Sequence, residues 1–139
     1  MLKFIEEFKP AVLLLQETWC AEDFIMEDYL TFNNYAKKGL FGRAAGGLAT
    51  LVAVSCNISA SEIGYPCPGI LSVMCSYMVN GGRGKGGKKQ KDAIIIINTY
   101  LQPGAVQLNQ LRDLSVILEL FGKMYPTIPI IIMGDFNVK

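Results

Sequence analysis

Histidine is absent from the 139 residues. A Ser-His or Cys-His catalytic pair is therefore excluded within this chain. The four cysteines, Cys20, Cys56, Cys67 and Cys75, form no Cys-x-x-Cys pair. With no histidine to join them, a zinc site is not expected; they read as reduced, mostly buried and intracellular, nuclear or cytoplasmic. Charge is scarce, at 18% of residues with a net of +1, whereas hydrophobic residues make up 51%. That balance excludes a disordered chain. It also carries no global electrostatic sign of a nucleic-acid partner. No apolar run approaches the ~20 residues needed to cross a bilayer, so no membrane partner is expected. The start, Met1 to Lys9, is amphipathic and unlike a secretory signal. The length suits one domain with a real core.

The most informative stretch is Ile128 to Asn137, Ile-Pro-Ile-Ile-Ile-Met-Gly-Asp-Phe-Asn. An unbroken apolar run rich in β-branched residues reads as a strand buried on both faces. Gly134 permits a sharp turn at its end, and Asp135 and Asn137 follow. A rigidly held carboxylate and amide suit a metal-assisted or phosphate-handling site; an ordinary Asx turn would also account for them. The pattern recurs twice. Ala11 to Gln16 is a strand followed by Glu17, and Ala93 to Thr99 is a strand followed by Tyr100.

The remaining chain is expected to complete a mixed sheet of about five strands, at 11–16, 48–55, 70–79, 93–99 and 128–134. Two helices, near 2–9 and 106–124, have apolar residues at helical spacing and should cover one face. Residues 21–38 read as a loop with scattered aromatics, and 39–47 as a Gly-rich segment carrying Arg43. Asn80 to Lys91 holds five of the thirteen basic residues. It formally contains Gly-x-Gly-x-x-Gly and nearly a P-loop, but both motifs need a following helix. Asp92-Ala-Ile-Ile-Ile-Ile reads as a strand, so a basic hairpin tip is expected, with phosphate-backbone contact as its functional option.

Four segments, in order, carry a family resemblance: Leu15-Gln-Glu-Thr-Trp19, Gly46-Gly-Leu-Ala49, Ile97-Asn-Thr-Tyr100 and Met133-Gly-Asp-Phe-Asn137. They resemble the endonuclease/exonuclease/phosphatase superfamily, and most closely the apurinic-type endonuclease domain of LINE-type non-LTR retrotransposons. The resemblance implies an α/β fold, half of a four-layer α/β sandwich. Residues 1–139 would form a single partial domain, lacking the family's first strand and its C-terminal half. It implies Glu17 as a ligand of Mg2+ or Mn2+, Tyr100 at the scissile phosphate, and Asp135 orienting or deprotonating the attacking water. Asn137 would support the phosphate and the neighbouring acids. Asn98 and Arg43 are further substrate-binding candidates. The implied activity is metal-dependent nicking of DNA within a reverse-transcriptase polyprotein. Two alternatives stay open: an inactive remnant or interaction module, and a phosphatase or other phosphodiesterase of the same superfamily. The implied partners are DNA and a C-terminal half-domain, or a second copy joined through an exposed sheet face.

Overall fold

The computed structural model describes residues 2–38, 44–80 and 89–137. Helix α1, Leu2–Phe8, buries Ile5 and exposes Phe4 and Phe8, whose rings lie 4.8 Å apart. Pro10 cannot donate to a further turn, and the helix closes with Lys9 N donating to Ile5 O at 2.9 Å.

Three strands form one antiparallel sheet in the order β1 (Val12–Gln16), β5 (Leu48–Ala53), β2 (Tyr29–Asn34). Central β5 is buried along its whole length. Four more strands form a second sheet, β6 (Ser59–Glu62), β7 (Ile70–Asn80), β8 (Lys89–Tyr100) and β9 (Ile130–Asp135). Only the β8–β9 pairing within it is parallel. Helix α2, Ala105–Met124, links β8 to β9, as a parallel pair requires. Between β2 and β5, β3 (Lys37–Lys38) and β4 (Ala44–Ala45) make a short ribbon.

The isoleucine run of β8 is unbroken because both faces are covered. Ile95 and Ile97 pack on Leu114, Ile117 and Phe121 of α2. Ile96 packs with Val73 and Cys75 against Val52 of the other sheet, flanked by Val12, Leu14 and Phe32. Each such fully buried side chain contributes roughly 1.5–3 kcal/mol. The layers are thus helix, four-stranded sheet and three-stranded sheet: a partial α/β sandwich, as expected, but with two sheets where one was expected.

Several details differ from the sequence reading. The five expected strands are all present but are divided between two sheets. Residues 21–38 contain β2, masked in sequence by its polar end, Asn33-Asn34. Strand β6, Ser-Ala-Ser-Glu, has no apolar signature and is defined by pairing with β7 alone. Helix α1 does not join α2; it shares a cleft with residues 24–29 and 53–55, at the end of the three-stranded sheet where β1 begins. The β7–β8 hairpin is confirmed by its register down to Asn80↔Lys89, and a strand rather than a helix follows the Gly-rich stretch. Residues 81–88 of that stretch lie outside the described residues.

Edge strands β1 and β9 lie over one another, so both sheets stop on the same side. Ile131 and Met133 of β9 are there 41% and 43% exposed. No described helix is long and apolar enough to cross a membrane.

Candidate active site

The C-terminal ends of β1, β8 and β9 converge at one end of the sandwich. Tyr100 closes β8 and pairs in register with Asp135, which closes β9. Glu17 follows β1 in the left-handed region, at φ 51°. The Tyr100 hydroxyl donates to Glu17 Oε1, joining the two sheets across their open side. Glu17 and Asp135 are exposed, while Tyr100 and Asn137 are half-buried.

Backbone geometry forces these placements. Gly134 has φ 149°, and a Cβ there would overlap the Thr99 carbonyl of the neighbouring strand. Glycine alone lets β9 lie that close as it turns toward Asp135. Beyond it, Leu101 N donates to Asp135 O at 2.9 Å, and Asn137 N donates to Asp135 Oδ1 at 3.0 Å. The second bond is the Asx turn read as the alternative in sequence, and it orients the carboxylate. The Asn137 side chain is committed elsewhere: Nδ2 donates to Leu101 O at 3.0 Å. From α2, Gln107 Nε2 donates to Phe136 O at 2.8 Å and holds the same loop.

Tyr100 sits beside two negative charges. Its donation to Glu17, partial burial and the charges of Glu17 and Asp135 push its phenol up to about 12. It is therefore a neutral donor near pH 7. The bond to Glu17 and the register with Asp135 bring both residues to the end of β8.

Asn98, a substrate-binding candidate by sequence, is placed differently. It is fully buried between the sheets. Its Nδ2 donates to Leu15 O at 3.1 Å and Ala49 O at 3.0 Å, and its Oδ1 accepts from Gln16 Nε2 at 2.7 Å. It ties β8 to β1 and β5 and does not reach solvent. The correction has a simple cause: β8 runs on through Tyr100, so Asn98 lies inside the ladder. Arg43 lies outside the described residues.

Sequence reasoning missed Gln16 and Gln110. Gln110, 4% exposed, donates through Nε2 to Pro68 O and Tyr100 O, while its Oε1 accepts from Gln102 N at 2.7 Å. The signal was available, because Gln110 stands in the buried stripe with Leu114, Ile117 and Phe121. A polar side chain in such a stripe needs partners.

A cleft of about 710 Å³ leads away from Tyr100 past Gly46, Gly47, Gln102 and Lys37 to Asp113. At its base, Cys67 Sγ donates to Asp113 Oδ2 at 3.3 Å. Burial, then this carboxylate, pushes the thiol up to about 12. It is a structural thiol and not a nucleophile.

Among the described residues, no group of three or more His, Cys, Asp and Glu gathers. The donor set at the strand ends is two carboxylates open to water. That suits Mg2+, which takes oxygen ligands, few protein carboxylates and several retained waters.

No family model matches the sequence, and no curated protein matches it either. Among solved structures, the chain is similar to the human Nocturnin catalytic domain, determined with a bound sulfate anion. The TM-score is 0.58 at 15% identity, over 99% of this chain and 55% of that one. The likeness is one of fold: this chain shares the α/β sandwich architecture of that domain. This chain spans about half the length of that domain. Within this fold, the described strands supply one converging end, carrying Glu17, Tyr100 and Asp135.

Proposed function

We propose that this chain carries part of the active site of a Mg2+- or Mn2+-dependent endonuclease that nicks DNA phosphodiesters, of the LINE retrotransposon type. The observation that carries the reading is the convergence of Glu17, Tyr100 and Asp135 at one exposed end of the sandwich. Glu17 would hold the metal, which when bound supplies a Lewis acid that offsets charge on the phosphate and on the leaving oxygen. Asp135, with Oδ1 occupied by the Asn137 N–H, keeps its other oxygen for the attacking water. Tyr100, held neutral, donates to a phosphate oxygen. Asn137 acts through the Asp135 loop, because its own amide is spent on Leu101. Asn98 acts by holding β8 in place. The basic β7–β8 hairpin, with Lys89 and Lys91 exposed, favours a nucleic-acid partner within the superfamily.

On this reading the 139 residues alone do not nick detectably. The family's further acids and terminal histidine element have no counterpart here, and loss of even one preorganised group commonly costs on the order of 10²–10³ in rate. The open side at β1 and β9 would receive a second half-domain; it also favours a reading as an interaction module. The test is a supercoiled-plasmid assay with Mg2+, on the chain alone and mixed with a separately expressed second half of a related domain. Nicking in the mixture, lost in Glu17→Gln and Asp135→Asn, supports the proposal. Release of phosphate from monoesters without nicking favours the phosphatase reading, and silence in both defeats the enzyme reading.

A further inference from the structure

Trp19 is the chain's single tryptophan and is 62% exposed. An indole that large gains by being buried, and burial is what the rest of this hydrophobic chain seeks. Its backbone is held in the left-handed region at φ 53°, which is unusual for a bulky residue. The surrounding bonds impose that conformation. Thr18 N donates to Gly47 O at 3.2 Å, Trp19 N to Gly46 O at 3.0 Å, and Ala36 N to Cys20 O at 2.9 Å. Gly47, at φ 89°, admits no side chain, because a Cβ would collide with Thr18 Oγ1. Residues 18–20 are thus stitched between two neighbouring segments while the ring stands out in solvent. The backbone that carries this exposed aromatic is held in place rather than frayed.

Its position gives the ring a use. Trp19 lies two residues beyond Glu17, at most ~7 Å of extended chain, a reach comparable with one nucleotide. Gly46 and Gly47, which anchor its segment, also line the cleft that runs past Tyr100, Gln102, Tyr35 and Lys37. Tyr35 is itself 52% exposed. An exposed aromatic on a backbone held by hydrogen bonds, two residues from a phosphate-handling strand end, is the kind of group on which unpaired bases stack.

We propose that Trp19 is a stacking platform for an unpaired nucleobase adjoining the phosphodiester held at Glu17, Tyr100 and Asp135. The proposal rests on the nucleic-acid reading of that site and goes further, since it assigns a base-binding position and a preference for single-stranded or unpaired substrate. It involves no covalent step.

The single tryptophan makes the test direct, because the chain's indole fluorescence reports on this position alone. The full chain is titrated with dye-labelled oligothymidylate and with an abasic oligonucleotide of equal length, in Mg2+. Binding is read by anisotropy of the dye and stacking by quenching of the indole. Oligothymidylate should quench, whereas the abasic strand should bind without quenching. Trp19→Ala should weaken oligothymidylate binding roughly 10-fold, and Trp19→Phe should restore most of it. Circular dichroism confirms that both variants are folded. Binding without quenching, equal in Trp19→Ala, overturns the stacking proposal and leaves the nucleic-acid reading standing. No binding of either strand overturns both. Loss of self-association in Trp19→Ala with unchanged oligonucleotide affinity overturns it in favour of a protein-facing tryptophan.

Discussion

Replacing Asn98 with alanine tests whether the two sheets are tied together beneath the site. In the wild-type chain the Asn98 amide donates to two carbonyls of the opposite sheet, Leu15 at 3.1 Å and Ala49 at 3.0 Å, with no exposure to solvent. Asn98→Ala removes both donors without providing water in their place. Each buried group left unsatisfied costs about 1–3 kcal/mol. Gln16, which loses its acceptor, is half-buried and can turn to water, so its part is small. The expected loss is about 2–5 kcal/mol, a large share of the ~5–15 kcal/mol that holds a typical domain. For a chain of this length it corresponds to a fall in Tm of about 7–17 °C. Urea unfolding followed by circular dichroism measures it as a shift in midpoint at constant slope. Asn98→Asp sharpens the test. A buried carboxylate facing two carbonyls has a raised folded-state pKa, so its protonated form is favoured by folding. Its stability should therefore recover as the pH falls toward the ordinary value of ~4 and decline as the pH rises. A loss below about 1 kcal/mol in Asn98→Ala would refute the reasoning. It would mean that the facing residues Leu15 and Ala49 already satisfy those carbonyls within the β1–β5 ladder.

Three further outcomes are expected. Tyr100 should ionise near 12 by ultraviolet absorbance, above the ordinary ~10, and its midpoint should fall in Glu17→Gln. Because the folded value is raised, its contribution to stability is present below pH ~10 and lost as the pH rises toward 12, and it is small because the group is largely solvent-screened. A midpoint unmoved by Glu17→Gln would refute the donation to Glu17. Gly134→Ala should destabilise by more than ~2 kcal/mol through its overlap with the Thr99 backbone. By contrast, Gly122→Ala, with nothing within 4 Å of its Cβ, should stabilise α2 by about 0.5–1 kcal/mol; equal melting temperatures would contradict both assignments. The open side at β1 and β9, with Ile131 and Met133 exposed, should make the purified chain bind hydrophobic dyes or self-associate. Ile131→Lys should reduce this, and a monodisperse, dye-silent wild-type monomer would count against an unfinished core.

Each expected strand was legible because its signal is local. The run Ile94 to Ile97 announces a strand covered on both faces wherever it lies, and the stretch 106–124 announces a helix by period. Which element covers which face is not local. Ile95 meets α2 and Ile96 meets the other sheet, but both are isoleucine, and nothing in the residue type distinguishes a helix from a second sheet as its cover. The single sheet of the sequence reading divides in two for this reason. Strands β2 and β6 escaped for a different one. Both are edge strands whose main support is backbone pairing with β5 and β7, and backbone bonds leave no trace in composition.

The site follows the same division between local and distant causes. Glu17, Tyr100 and Asp135 are polar residues that end apolar runs, a pattern visible one strand at a time. Glu17 and Tyr100 are 83 residues apart in sequence, and what brings them together is invisible at either end. It is the buried amides beneath them, Asn98 reaching β1 and β5, and Gln110 reaching the Tyr100 and Pro68 carbonyls. A search for polar groups near strand ends finds both kinds of residue and cannot separate them, which is how Asn98 came to be placed at the substrate. Burial separates them. A polar side chain whose hydrogen bonds are all spent inside the protein has no bonding capacity left for a ligand. One held at the surface by strained backbone, as Glu17 is at φ 51°, keeps most of its own free.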